Sequence, residues 1–534
     1  MQTRLRSGIS KPKVIFDLSA IESAHQIPKS YTEAAQHPKW REAMSCEYTA
    51  LQQQRTWSLV PAPPGKPVIG SKWTFKLKLH PNGDIDRYKA RLVALGCSQQ
   101  FGINFTETFS PVAKMVTIRL LLTIALHHDW PVHQLDVSNA FLHGELTDEI
   151  YMKQPKGFED HQNPQHVCKL HKSIYGLKQS PRNWFTKITK FLLSIGFVFS
   201  KADPSLLLFT KNHTRMFILI YVDDILITGN NTAIIRSTLN QLQSTFQLKQ
   251  LGDVSLFLGI QVIKTTQGYF LDQSHYATEL LSHAGFLNCK PSTTPAPMKS
   301  SGHLDERPYS DPQLFHQLAG SLQYLSITRP DIAFATNAVC QQMHCPRNCD
   351  FQALKRLLRY IKGTIDFGLP ITKGELCLRT YVDADWASDS SDRKSILGFC
   401  TFLGHNLISW SVKKQTTVAR SSTEAEYRSL SAATSDVLWL RRLAAEFGIS
   451  STGPTTIYCD NTSAIALAHN PVFHARTKHI EIDYHFISEH IKQGAIRVDH
   501  ISTNDQIADI LTKSLSTTQF STLRSKLTIH SRNA

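Results

Sequence analysis

The sequence predicts an α+β fold over its first half, a helical connection, and an α/β region at its carboxyl end in the order β-β-β-α-β-α-β-α. Three observations carry this. Trp73, Phe75, Leu77 and Leu79 alternate with Lys72, Thr74, Lys76 and Lys78, and Asn82-Gly83 follows as a turn, which spells a β-hairpin. The apolar, β-rich runs Phe217–Val222 and Ile225–Thr228 flank Asp223-Asp224. From Leu376 onward three strand-like segments precede an alternation of helix and strand patterns.

A chain of 534 residues is long enough for two to four domains, and a hydrophobic fraction of 41% argues against wholesale disorder. The expected division is a polar tail over 1–27, a mixed region over 28–290, a linker with helices over 291–372, the α/β region over 373–516 and a tail over 517–534. In the first region a helix carries Trp40, Met44, Tyr48 and Leu51 on one face, and a proline-rich breaker follows from Pro61 to Pro67. Pro291–Pro312 is rich in proline, serine and charge. The helices after it end in Lys355, Arg356, Arg359 and Lys362, a basic face. Ser421 and Glu424 have the spacing of a capping box at the start of a long helix.

Lysine and arginine number 58 against 43 acidic residues, a net charge of +15, which suits a polyanionic partner or simply marks a basic protein. Ten unevenly spaced cysteines do not form a disulfide framework, so a reducing cytosolic or nuclear setting is expected. The basic, polar start has no apolar stretch of signal-peptide length, and no run is long enough to span a membrane. Cys340, His344, Cys345 and Cys349 cluster without the spacing of a zinc ribbon and read as a helix end with reduced thiols. The phosphate-binding loop ending in Gly-Lys-Ser/Thr is absent, so a nucleoside-triphosphatase motor is not supported.

The chemistry lies in carboxylates. A hairpin through Tyr221-Val222-Asp223-Asp224 presents two adjacent acids that repel one another unless cations intervene. Hard oxygen ligands suit magnesium. Asp136, in Gln134–Phe141, follows an apolar strand start and supplies a third. Three such groups can hold two ions about 4 Å apart for phosphoryl transfer, although a polar turn has the same local sequence. Lys89 and Arg91 share a face of the hairpin's returning strand, fit for a triphosphate, a nucleic-acid backbone or solvent. A second set of acids stands at the carboxyl end: Asp383 and Asp385, Glu424 and Glu426, Asp460, and Asp505 and Asp509.

Taken in order, the segments Lys39–Met44, Arg87–Val93, Gln134–Gly144, Ser173–Arg182 and Tyr221–Gly229 resemble the reverse transcriptase of copia-type long-terminal-repeat retrotransposons, and the resemblance runs from roughly residue 28 to 516. It implies a polymerase palm and fingers with a connection region, then a ribonuclease H-like domain. By it, Asp136, Asp223 and Asp224 are the metal-binding palm triad. Phe141, otherwise an ordinary core aromatic, is the residue beside the incoming sugar. Tyr175 and Gly176 lie near nucleotide and template, Lys89 and Arg91 reach the triphosphate, and Phe257–Ile260 is the primer-gripping hairpin.

The same resemblance assigns Asp383, Glu426, Asp460 and Asp509 as the metal set of the ribonuclease H region. Glu426 is taken over Glu424 because it directly precedes the apolar Tyr427, and Asp509 over Asp505 because it follows Ile507-Ala508. His500 is either a proton-shuttling histidine or a plain surface one. Arg476–Ile480 is either a nucleic-acid-facing segment or a solvated charged loop.

The expected activities are RNA-directed DNA polymerase and cleavage of the RNA strand of a hybrid. Two Mg²⁺ ions are expected at each site, with Mn²⁺ as the alternative. Expected partners are an RNA template, a DNA primer, RNA–DNA hybrid and deoxynucleoside triphosphates, with no membrane and an open oligomeric state. The expected compartment is cytoplasmic, in a virus-like particle, or nuclear. A catalytically inactive remnant that only binds nucleic acid is the alternative, and a nuclease with a dead polymerase the third reading. The resemblance also implies protease and integrase segments upstream. Their signatures are absent, and Thr3–Ile9 looks like the tail that follows an integrase, so the chain is expected to be a carboxyl-terminal portion of a polyprotein.

Overall fold

A computed structural model describes residues 27–79, 85–246, 248–298, 305–449, 453–470 and 480–533; Thr3–Ile9, the Asn82-Gly83 turn and Arg476–His479 lie outside them. The chain forms two compact units, Met1–Ser110 with Phe141–Ile188, and Pro111–Ala140 with Thr189–Ala534.

In the first unit the helix Pro38–Gln53 opens on proline, whose missing N–H costs nothing at a helix start, and buries Trp40, Met44 and Leu51. Trp40 meets Phe75 and Tyr88 edge-on, at 5.3 and 4.7 Å between ring centroids. Those rings belong to the ribbon Ser71–Leu79 and Ile85–Ala94, whose register pairs Trp73 with Leu92, Phe75 with Ala90 and Leu77 with Tyr88. The alternation thus sorts one apolar face under the helix and leaves the other basic. A four-stranded sheet in the order Trp57–Val60, Val167–Lys172, Glu145–Lys153, Val68–Ile69 completes the unit.

The second unit begins with the helix Met115–His127, buried at every position from Thr117 to Ala125. With Arg119 its only charged residue between Thr117 and Ala125, it is a core helix. It shares a core with Val132, Phe217, Leu226 and the helices Pro312–Leu325, Ala333–Gln341 and Asn348–Lys362. A six-stranded sheet sets Val132–Val137 between Leu248–Asp253 and Asp224–Gly229, followed by Thr214–Tyr221, Leu206–Lys211 and Val198–Phe199.

Two features of the stretch 291–372 differ from the sequence expectation. The strand Phe367–Thr372, inside the stretch read as linker and helices, pairs with Gly268–Asp272 and with His530–Ser531. The basic face at the end of Asn348–Lys362 is partly committed: Arg356 donates to Thr294 Oγ1 and Arg359 to the Lys290 carbonyl, each at 2.7 Å. Those bonds tie down the start of Pro291–Pro312.

The carboxyl-terminal sheet runs Asn406–Lys414, Ile396–Leu403, Leu378–Asp385, Thr455–Cys459, Ile496–His500, the first three antiparallel and the rest parallel. The helix Ser422–Glu446 packs Tyr427, Leu430, Ala433 and Val437 on it. Ser421 accepts from Glu424 N, but Glu424 turns its carboxylate to Arg420 N and Arg428, so only half of the capping box forms. Two helices, Thr462–His469 and Glu481–Lys492, stand where one was expected between the last two strands. Phe217 of the six-stranded sheet packs on Phe447, 4.6 Å between centroids, so one core serves both sheets. Among the described residues no helix is long and apolar enough to cross a membrane.

Candidate active site

The central strands of the six-stranded sheet position the first acids. Asp136 and Asp224 are direct partners across the antiparallel pair Val132–Val137 and Asp224–Gly229. Side chains so opposed share a face with Cβ atoms about 5 Å apart. The turn between Tyr221 and Asp224 is two residues long, with Val222 at φ +54°, a conformation disfavoured for a β-branched residue. Val137 N donates to the Asp223 carbonyl at 3.0 Å, which fixes the turn against the Asp136 strand. Burial, then Asp223 and Asp136, raise the Asp224 carboxyl to about 6. This is the electrostatic condition that a bound cation relieves. On its other side Asp136 faces Lys249 of the neighbouring strand, a residue the sequence reading did not single out. The strands Leu256–Phe257 and Ile260–Lys264 form a tight hairpin turning on Leu258 and Gly259, both at positive φ. Tyr324 donates its hydroxyl to the Leu258 carbonyl.

The second set gathers where the carboxyl-terminal strands end. Asp383, Asp460 and Asp509 each offer a carboxylate oxygen within 4.8 Å of the others, and Glu426, Cys459 and Asp460 form an overlapping group of the same spacing. Glu426 accepts from Ala384 N at 3.1 Å, and burial with Asp383 and Asp460 nearby pushes its carboxyl well up. Burial and Asp383 likewise raise Asp509, partly offset by Lys513. Burial, then Glu426, pushes the Cys459 thiol up, and the other donors of the two groups are carboxylate oxygens. Such a set fits a hard divalent ion.

The remaining candidates divide. Glu424 is turned away in its pair with Arg428, 2.8 Å. Asp505 pairs with Lys526 at 2.6 Å. His500 is exposed at the end of its strand, in register with Cys459, and no described hydrogen bond or ion pair joins it to the acids. Two neighbours were missed: Thr512, whose hydroxyl donates to Asp383 Oδ2, and Lys513, which pairs with both Asp383 and Asp509. The four-residue step from Asp509 to Lys513 is a helical pairing distance and was legible.

On the first unit, Phe141 meets the Tyr175 ring edge-on at 4.8 Å, and the Arg91 guanidinium lies 4.1 Å from the same ring. Phe141 is half-buried rather than a core residue. Gly176 sits at φ +93°, where an added Cβ would come within 2.1 Å of the Ala94 carbonyl oxygen. Ala94 N donates to Tyr175 O at 2.8 Å, so the strand carrying Arg91 and the Tyr175-Gly176 turn are joined. A buried amide pair, Gln99 and Gln179 at 3.0 Å, holds the turn's other end, with Gln179 also donating to Asp148 at 2.9 Å. On the ribbon's basic face Lys76 lies opposite Lys89 and Lys78 opposite Arg87. Arg87 also pairs with its neighbour Asp86 at 3.7 Å.

A profile of the family described as reverse transcriptase (RNA-dependent DNA polymerase) matches residues 54–298. The chain is 46% identical over 530 residues to the Retrovirus-related Pol polyprotein from transposon RE1 of Arabidopsis thaliana, covering 99% of this chain and 36% of that relative. It is 38% identical over 525 residues to the corresponding polyprotein from transposon TNT 1-94 of Nicotiana tabacum, covering 94% of this chain and 39% of the other. Against a putative transposon Ty5-1 protein of Saccharomyces cerevisiae it is 31% identical over 304 residues, 55% of this chain and 97% of that one. The chain therefore spans little more than a third of the Pol polyproteins it matches. It belongs to the copia-type retrotransposon Pol family and contains that family's reverse transcriptase domain.

Proposed function

We propose that the chain synthesises DNA on an RNA template at Asp136, Asp223 and Asp224, and cleaves the RNA of the hybrid at Asp383, Glu426, Asp460 and Asp509. The observation that carries this is two separate sets of carboxylates: Asp136 opposite Asp224 with Asp223 in the adjoining turn, and Asp383, Asp460 and Asp509 within 4.8 Å of one another beside Glu426. Divalent ions, Mg²⁺ first, would activate the attacking oxygen and neutralise charge developing on the phosphate at both clusters. The chain's own contribution is positioning. Asp136 and Asp224 are held on adjacent strands, and Ala384 N orients Glu426.

The first unit's cluster is assigned to the nucleotide: Arg91 and Lys89 toward the phosphates, Phe141 toward the sugar, Tyr175 and Gly176 toward the base pair. Lys76, Lys78, Arg87 and Lys89 share one face of the ribbon, and that basic face supports a polyanionic partner. Selection of RNA over DNA in the hybrid would rest on 2′-hydroxyl contacts. The domain boundaries proposed for these activities are 28–290 for fingers and palm, 291–372 for the connection and 373–516 for the nuclease.

The test is primer extension on RNA and cleavage of a labelled hybrid, both with Mg²⁺. Asp223→Asn should abolish extension and spare cleavage, and Asp460→Asn should do the reverse. Salt-sensitive hybrid binding with neither activity would replace this proposal with that of a non-catalytic binder.

A further inference from the structure

Lys513 stands inside the second carboxylate cluster and has no part in the assignments above. Its ammonium lies 3.2 Å from Asp383 Oδ1 and 3.0 Å from Asp509 Oδ1. The two aspartate side chains are each 2% exposed, whereas the lysine side chain is 32% exposed. The helical step from Asp509 carries the lysine to this spot, and Thr512 holds the other Asp383 oxygen. So a cation is already covalently attached to the chain at the place where two of the three clustered aspartates converge.

Burying several carboxylates together is unfavourable without compensating positive charge. Lys513 supplies one such charge. A divalent ion bound to the same oxygens at about 2.1 Å would lie within a few ångströms of the ammonium, and the two cations repel strongly at low dielectric. Both cannot keep their best contacts with Asp383 Oδ1 and Asp509 Oδ1. We propose that Lys513 is a tethered counter-ion, which holds Asp383 and Asp509 in the metal-free site and lowers its affinity for divalent ions by competing for the same two oxygens. This rests on the reading of the cluster as a metal centre. It makes Lys513 a positioning residue, displaced when the ion arrives.

The test uses the full chain carrying Asp223→Asn and Asp224→Asn, so that the palm acids do not dominate the titration. Mn²⁺ binding is followed by electron paramagnetic resonance and calorimetry, and thermal unfolding is followed in EDTA and in saturating Mn²⁺. Lys513→Gln should bind Mn²⁺ at least tenfold more tightly, unfold at a lower temperature in EDTA, and lose that deficit in Mn²⁺. Failure to fold in EDTA with recovery in Mn²⁺ is the same result in its extreme form. Lys513→Arg, which keeps the charge, should stay near the unsubstituted affinity. Equal or weaker Mn²⁺ binding by Lys513→Gln, while a step lost on Asp460→Asn persists, overturns the lysine's role alone. If no binding step is lost on Asp460→Asn, the metal reading of the cluster falls and the proposal with it.

Discussion

Gly176→Ala tests whether the Tyr175-Gly176 turn is held as rigidly as its contacts imply. At φ +93° an alanine would be strained, by roughly 1–2 kcal/mol for an L-residue forced to positive φ. The new Cβ would also stand 2.1 Å from the Ala94 carbonyl oxygen and 2.6 Å from Val93 Cγ1. Relieving that overlap means moving a strand whose Ala94 N–H bonds Tyr175 O at 2.8 Å, and overpacking of this kind costs about 1–3 kcal/mol. The sum is about 2–5 kcal/mol. Gly65→Ala is the control, because Gly65 has φ +75° with no heavy atom within 4 Å and carries the backbone strain without the collision. Denaturant unfolding should therefore separate the two variants by about 1–3 kcal/mol. Primer extension should fall sharply in Gly176→Ala, since Tyr175 and Arg91 are displaced together. Hybrid cleavage should persist, because its four acids belong to the second unit. Equal stability of the two alanine variants would refute the close approach as the reason for glycine.

Two further outcomes follow from single side chains. Phe141→Ala removes the ring packed on Tyr175, and the chain should then incorporate ribonucleotides at least tenfold more readily relative to deoxynucleotides in a single-nucleotide extension assay; unchanged selectivity would return Phe141 to a packing role. Asp436 is raised by burial from 3.8 to about 6, so its neutral form favours the fold, and that contribution is lost as pH rises from about 4 to about 6. Asp436→Asn lacks this loss. Its unfolding free energy relative to the unsubstituted chain should rise by up to about 3 kcal/mol between pH 4 and pH 7, and a pH-independent difference would contradict the assigned burial.

What could be read from the sequence was local. The ribbon was legible because Trp73, Phe75 and Leu77 alternate with lysines, and that alternation becomes one apolar and one basic face. The Asp223-Asp224 hairpin was legible because β-rich apolar runs bracket two acids. The strand Phe367–Thr372 was hidden because its partners lie about a hundred residues before it and beyond residue 529, and pairing at such range leaves no local period. The basic face of Asn348–Lys362 misled for a related reason: charge pattern does not tell an arginine facing solvent from one donating to carbonyls of a distant segment. At the second acidic cluster the carboxylates were recognisable by type and order, but Thr512 was not, since a buried hydroxyl acquires its role only from the fold.

Arg119 presents the sharpest case of a charge whose purpose is structural. The guanidinium is fully buried in the helix Met115–His127, and burial lowers its pKa to about 9. Its nitrogens donate to the Ile408 carbonyl and, at 3.2 Å, to the Ile327 carbonyl, and its plane lies 3.9 Å from the Trp410 ring. These partners come from just beyond the Pro312–Leu325 helix and from the strand Asn406–Lys414, so one side chain joins the helical part of the core to the carboxyl-terminal sheet. Replacing a buried ion pair by apolar residues of similar volume is often neutral or stabilising. Here the acceptors are backbone carbonyls that remain after substitution, and each loses its donor. Arg119→Met should therefore cost about 2–6 kcal/mol in denaturant unfolding, from two carbonyls stripped at about 1–3 kcal/mol each, although it removes a desolvated charge. Arg119→Lys should rescue little, because a point ammonium cannot make both donations while stacking on Trp410. Polymerase and nuclease activities should decline together in both variants, since the damage falls on the shared core rather than on either acidic cluster. A stable Arg119→Met with one activity intact would show that the two sheets hold together by apolar packing alone.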